Sequence, residues 1–120
     1  MSRFPIHRSS QLTEFGVYLK TVAFRTSTPS ERYAFSHTDD YYFFGFIEDG
    51  QCRLNIDFEE YTFGKGSLAI IRPGQVHRII DASNLSAKFL VIDSVLVDKE
   101  EKRTLERYGR PQIQLSDISE

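Results

Sequence analysis

The sequence has no tryptophan and a single cysteine, Cys52, which excludes an intrachain disulfide and any metal cluster built from several thiolates. No stretch approaches the roughly 18 consecutive apolar residues of a membrane-spanning helix. The opening Met1-Ser2-Arg3-Phe4-Pro5 runs into polar residues and not into the apolar segment of a secretory signal. Basic tracts are missing as well: 15 Lys and Arg stand against 17 Asp and Glu, for a formal charge of -2. The field that holds phosphate backbones non-specifically is therefore absent. The expectation is a cytoplasmic protein with no membrane contact.

What is present fits one folded domain. The 120 residues are 40% hydrophobic and 27% charged, without a low-complexity tract. Aromatics are plentiful, with ten Phe and six Tyr, and they crowd into Tyr41-Tyr42-Phe43-Phe44-Gly45-Phe46. Aromatic and β-branched runs favour strands, and such runs recur at 15–24, 41–48, 51–56, 60–63, 67–72, 76–81 and 87–97. Strands at this spacing suggest an antiparallel sandwich or barrel. Asp49-Gly50, Gly64-Lys65-Gly66 and Pro73-Gly74 are the expected turns, the first as a tight hairpin. Cys52, Leu54 and Ile56 alternate with Arg53, Asn55 and Asp57, so one face of that strand is wet and Cys52 reads as a small core residue.

The run from Tyr41 to Ile47 is apolar on both faces and needs a second cover: another protomer, the N-terminal arm, or a helix outside this chain. One helix is expected, from Asp98 as N-cap with Glu101 three residues on, to Tyr108 before Gly109 and Pro111. Its apolar stripe, Leu105 and Tyr108, is thin, so it gains little by packing on its own barrel. The apolar positions Ile113, Leu115 and Ile118 in a polar tail give the impression of a chain cut in mid-protein.

Three histidines occur. His7 lies in the polar leader and receives no role. His37 precedes the aromatic strand, and His77 follows Gly66-Ser67-Leu68-Ala69-Ile70-Ile71-Arg72-Pro73-Gly74-Gln75-Val76. With Gly50, Gly66, Pro73, Gly74 and His77 in these positions the chain resembles a cupin. More narrowly, residues 37 to 77 resemble the effector-sensing domain of AraC-type transcriptional regulators. The resemblance implies an all-β, cupin-like antiparallel β-sandwich or barrel of jelly-roll type with a short C-terminal helix. It implies an arm over 1–13, a sensor barrel over 14–97, and a helix and start of linker over 98–120. DNA would be held only by a C-terminal helix-turn-helix domain that lies outside these residues. Phe58 stands in a hairpin where relatives often have Gly; a left-handed conformation would strain Phe, which points to another turn type.

The cupin ligand positions read His37, Asp39, Phe43 and His77. Phe43 takes the place of the glutamate and sets a ring where an enzyme keeps a charge, so no metal and no cofactor are expected, although His37, Asp39 and His77 remain as a two-histidine, one-carboxylate set. A Gly-x-Ser-x-Gly elbow, a His-Glu-x-x-His pair and a complete P-loop are all missing. Two functions stay open. One is a non-enzymatic sensor, forming a homodimer, whose effector is a sugar or an aromatic or anionic metabolite. Its contacts would be His37, Tyr41, Phe43 and His77, with Arg53 and Arg72 for an anionic group. The other is a small metal-dependent cupin enzyme, an isomerase or dioxygenase. Given the charge and the lack of a recognition helix, residues 1–120 alone are expected to give no saturable, sequence-selective shift of duplex DNA at moderate salt; a gel-shift titration checks this.

Overall fold

A computed structural model describes residues 5–24, 36–108 and 111–114. In chain order these form β1 (Ile6–His7), a 3-10 turn (Ser9–Gln11), β2 (Val17–Phe24), β3 (Thr38–Asp39), β4 (Tyr41–Ile56), β5 (Glu59–Gly64), β6 (Ser67–Ile71) and β7 (His77–Asp93). A second 3-10 turn (Ser94–Leu96), a helix α1 (Lys99–Tyr108) and β8 (Gln112–Gln114) complete them. β1 and β3 pair in parallel, and every other ladder is antiparallel. No helix among the described residues is long and apolar enough to cross a membrane.

Two long strands organise the barrel. β4 and β7 pair along nearly their whole length, from Tyr41 opposite Asp93 to Ile56 opposite His77. The first half of β4 lies between β7 and β6, with β2 beyond β7 and β8 beyond β6; the second half lies between β7 and β5. Both strands change partners midway within one six-stranded sheet, whose inner face encloses a core of Val22, Ile47, Cys52, Leu54, Ile56, Phe63, Ala69, Ile71, Ala82, Leu85 and Ala87. Phe63 is wholly buried, a burial that contributes on the order of 2–3 kcal/mol. Burial also pushes the Cys52 thiol up to about 12, which keeps it protonated, as a core residue should be.

The expected hairpin at Asp49-Gly50 is not there. β4 runs straight through these residues, and its register against β7 shifts between Ile47 and Asp49 and again between Asp49 and Gln51. The glycine serves a bulge in place of a reversal: φ is +79° at Gly50 and +48° at Asn84 opposite, so both strands bend together. A Cβ on Gly50 would lie 2.1 Å from the Asn84 carbonyl oxygen, so only glycine fits. For the same reason the expected strands 76–81 and 87–97 are one continuous β7, which ends at Asp93.

Chain reversal occurs at Asp57-Phe58, where φ is +51° and +70°. Two positive φ values in a two-residue loop are the type I′ pattern that the twist of paired strands demands. The expectation of another turn type for Phe58 is thus overturned. The ladder from Gln51–Gly64 to Ile56–Glu59 sets the register, and Asp57 anchors the loop: its backbone N–H donates to Val76 O at 2.7 Å and its carboxylate accepts from Gln75 Nε2 at 2.8 Å.

Helix α1 forms where expected, with Asp98 Oδ1 accepting from the Glu101 N–H at 2.8 Å. It supplies part of the second cover of the aromatic strand: Tyr42, 4% exposed, lies under a cleft bordered by Arg72, Pro73, Ser94 and the helix residues Lys102 and Glu106. Burial, and Glu106 after it, raise the pKa of the Tyr42 hydroxyl. The tail then returns to the barrel, because β8 pairs with β6 and Gln112 Nε2 donates to Thr62 O at 2.7 Å. The stop at Gly109 and the apolar positions Leu115 and Ile118 lie outside the described residues.

Two substitutions test this account of the bends. Gly50→Ala is expected to cost roughly 3 kcal/mol in urea unfolding, from the clash with Asn84 and the positive φ. Phe58→Gly is expected to stabilise by roughly 0.5–1 kcal/mol, since it relieves a left-handed conformation at a residue that buries little; Phe58 is 72% exposed.

Candidate functional site

The alternation that begins at His37 builds one wall of the site. His37, Asp39, Tyr41, Phe43, Gly45 and Ile47 are every second residue, and all line an interior cavity of about 300 Å3. Leu54, Phe63, Ile79, Phe89 and Val91 supply much of the remaining surface, so the wall is mostly apolar. Gly45 leaves room for two rings: Phe43 and Phe89 pack at 4.9 Å with a 58° tilt, and a Cβ on Gly45 would press on Phe43 at 3.1 Å.

The polar groups gather at one end. His37 and His77 are held by their backbones in an antiparallel bridge, His37 N–H to His77 O at 3.0 Å and His77 N–H to His37 O at 2.9 Å. The Pro73-Gly74 turn places His77: Arg72 N–H donates to Gln75 Oε1 at 2.8 Å, and Gly74 N–H donates to the Asp39 carbonyl at 3.0 Å. The turn is therefore tied both to itself and to the strand that carries Asp39. The Asp39 side chain is 2% exposed, and its Oδ2 lies 3.2 Å from His77 Nε2. Its Oδ1 lies 3.7 Å from His37 Nε2 and 3.8 Å from His7 Nδ1.

His7, assigned no role among the polar leader residues, is thus in the cluster. β1 runs beside β3 with His7 opposite Asp39, and the His7 ring stacks on His37 at 4.0 Å. The arm is pinned farther along, where Ser9 N–H donates to Asp40 Oδ1 at 2.7 Å and Ser9 Oγ donates to Asp93 Oδ2 at 2.5 Å. The Ser9 hydroxyl, and then the Val95 N–H, lower the Asp93 pKa. Leu12 follows and lines the cavity. The order of the arm thus depends on tertiary pairing, which a short polar leader does not announce in its sequence. His7, His37 and Asp39 bring three donor atoms within 4.8 Å of one another, the arrangement that could hold a metal.

Of the residues expected to bind an effector, His37, Tyr41, Phe43 and His77 line the cavity and Arg53 and Arg72 do not. Arg53 falls on the outer face of β4, as its alternation with Leu54 requires. There its guanidinium pairs with Asp81, through Nε at 3.0 Å and through a second nitrogen, and with Glu60 at 3.2 Å. The same hydrogen bonds keep Asp81 below the usual carboxylate range. Arg72 borders the cleft over Tyr42, outside the barrel. The cation on the cavity wall is Lys20, which with Tyr18 and Val22 forms the inward face of β2. The period-2 pattern around Lys20 was the available signal: a lysine in step with inward residues of an edge strand.

Solved structures share this architecture at low identity. A conserved protein of unknown function from Streptococcus pyogenes superposes with a TM-score of 0.59 at 14% identity, over 68% of each chain. Pac13 of Streptomyces, a nucleoside dehydratase, gives 0.55 at 11% identity over 68% of this chain, which spans only 62% of Pac13. A putative mannose-6-phosphate isomerase from Ralstonia eutropha gives 0.56 at 12% identity, over 69% of this chain and 80% of that one. No curated protein matches the sequence. Residues 19–110 match the AraC-like ligand binding domain, and the chain belongs to that family.

Proposed function

We propose that this chain is the effector-sensing and association domain of an AraC-type transcriptional regulator, in which binding of a small molecule in the barrel controls a DNA-binding domain of helix-turn-helix type. The observation that carries this reading is the cavity. Its volume of about 300 Å3 is at the lower end of the range of about 300–1,000 Å3 for small-molecule sites. It pairs apolar, aromatic walls with a few polar groups at fixed positions.

Each part suits one feature of an effector. The tilted Phe43–Phe89 pair offers ring area to a flat or cyclic body. Asp39 with His37 and His77 meets hydroxyl or amine groups at one end. Lys20 and Tyr18 offer a cation and a phenol to an acidic group, the part first assigned to Arg53 and Arg72. The effector class is thus a compact cyclic metabolite with hydrogen-bonding groups, and an acidic substituent is matched by Lys20. Val17 and Leu19, 47% and 68% exposed on the outer face of β2, are available to a second copy of the chain. Family membership favours sensing over catalysis.

A thermal-shift panel of sugars, sugar acids and aromatic acids tests the reading. A true effector at a hundredfold excess over its Kd is expected to stabilise the chain by about 2.7 kcal/mol. Phe43→Leu and His77→Gln are expected to weaken it about tenfold or more, while Arg53→Ala leaves binding unchanged. For an acidic effector Lys20→Ala lowers affinity and its salt dependence together. Binding that survives both cavity substitutions places the effector elsewhere and overturns the reading.

A further inference from the structure

We propose that His7, His37 and Asp39 bind one divalent transition-metal ion of the Zn2+ type, with the arm residue His7 supplying the donor that Phe43 withholds and His77 facing the other Asp39 oxygen. The expectation of no metal counted only three donors, all from the barrel. The pairing of β1 with β3 brings a fourth from outside the motifs that carried the family resemblance.

Geometry is the first argument. A charged imidazole–carboxylate hydrogen bond has a heavy-atom distance of about 2.7–2.9 Å. The three distances from Asp39 oxygens to the histidines are 3.2, 3.7 and 3.8 Å, and Asp39 Oδ1 makes no hydrogen bond among the described residues. Donors about 2.0–2.1 Å from a shared tetrahedral ion lie about 3.3–3.4 Å apart. The donor atoms of His7, His37 and Asp39 all lie within 4.8 Å of one another, slightly open for hydrogen bonding and near enough to close on a common ion.

Proton placement is the second. His77 Nδ1 lies 3.0 Å from the Gln75 carbonyl oxygen. A carbonyl only accepts, so Nδ1 carries the proton, and in a neutral ring Nε2 is then a lone pair. That lone pair faces the Asp39 carboxylate oxygen at 3.2 Å, an arrangement that needs a positive charge. A backbone carbonyl behind the far nitrogen is also the usual support of a metal-bound histidine.

The third argument is charge. A carboxylate as buried as Asp39 requires compensation. The rings crowd around it, His7 stacked on His37 at 4.0 Å and His37 edge-on to His77 at 4.1 Å. One dication compensates the carboxylate and leaves all three rings neutral.

The donor set selects the ion. Imidazole nitrogens together with one carboxylate suit Zn2+, Co2+, Ni2+ or Cu2+ and not the oxygen-seeking Mg2+ or Ca2+. With the arm residue among the ligands, the site is a structural or metal-sensing one that fastens the arm across the barrel end. The ion would take His37 and Asp39 from the groups that the effector reading offers to hydroxyls or amines, leaving His77, Lys20 and the aromatic walls to an effector; metal titration without effector tests the ion by itself.

The test uses the full chain, stripped with chelator and returned to metal-free buffer. Titration with Co2+ is expected to give visible d–d absorption that saturates at one equivalent and is abolished by one equivalent of Zn2+. Calorimetry with Zn2+ is expected to show one site and a higher melting temperature. His7→Ala, on the arm, is expected to leave the metal-free barrel folded by circular dichroism and to weaken Zn2+ binding by roughly 10–100-fold; Asp39→Asn is expected to abolish it. Where His7→Ala lowers the metal-free melting temperature, His7→Gln provides the same comparison. The proposal is overturned if no saturable one-to-one Co2+ spectrum forms. It is equally overturned if a folded His7 variant binds Zn2+ as tightly as the parent chain, since the arm then contributes no ligand.

Discussion

The structure depends on the long ladder between β4 and β7 and on its bend. Both strands run through the whole six-stranded sheet, so the bend at Ile47–Gln51 and Ser83–Ser86 decides how its two halves meet. Were Asp49-Gly50 a hairpin, the chain would reverse there, and Cys52, Leu54 and Ile56 would face a different partner from Phe43 and Ile47. A bulge preserves the direction of both strands while turning them, which brings one continuous inward stripe around a single cavity. Gly50 is the smallest piece of this device and the least replaceable, because the neighbouring backbone occupies the space of its missing Cβ.

Once the barrel closes, its polar end faces an electrostatic constraint. Asp39 is inward by the same alternation that makes Tyr41 and Phe43 inward, so its carboxylate cannot leave the interior without moving the whole strand. Two of its three imidazole neighbours come from the His37–His77 backbone bridge and the third from the arm. The backbone bonds position the first two rings whatever their protonation. His7 is held differently, by a two-residue parallel pairing and the Ser9 hydrogen bonds, so the charge state of the cluster and the seating of the arm are linked.

Much of this was legible from residue order. The inward stripe follows from period-2 alternation starting at His37, and the Pro73-Gly74 turn with His77 was read from the residues themselves. The helix was marked by the cap at Asp98 and the acidic first turn. The illegible parts share a physical cause: they depend on what lies opposite in space. A sequence does not distinguish a glycine that reverses the chain from one that lets a neighbouring strand pass, so Asp49-Gly50 read as a hairpin and Asp57-Phe58 did not. Arg53 could have been set outside by its own alternation with Leu54; chemical suitability for an anion outweighed the parity. Lys20 was missed because charge on an edge strand normally means the wet face. His7 had no local signal, since two residues of parallel pairing leave no pattern.

The cavity has an apolar part and a charged end formed by the histidine cluster. Phe43 marks the border. A glutamate there would extend the polar end inward and spread ligating groups along the strand, as a reacting substrate requires. The ring instead confines charge to Asp39 and its imidazoles and gives the rest of the wall to van der Waals contact with Phe89 and Leu54. A catalytic metal keeps a coordination position open toward its substrate, whereas here the arm covers the charged end and offers a further nitrogen. An organic molecule entering the apolar part would meet this end as a preset group of donors and acceptors and not as a reactive centre. Phe43 thus separates the apolar part of the cavity from its charged end, and the arm closes that end through His7.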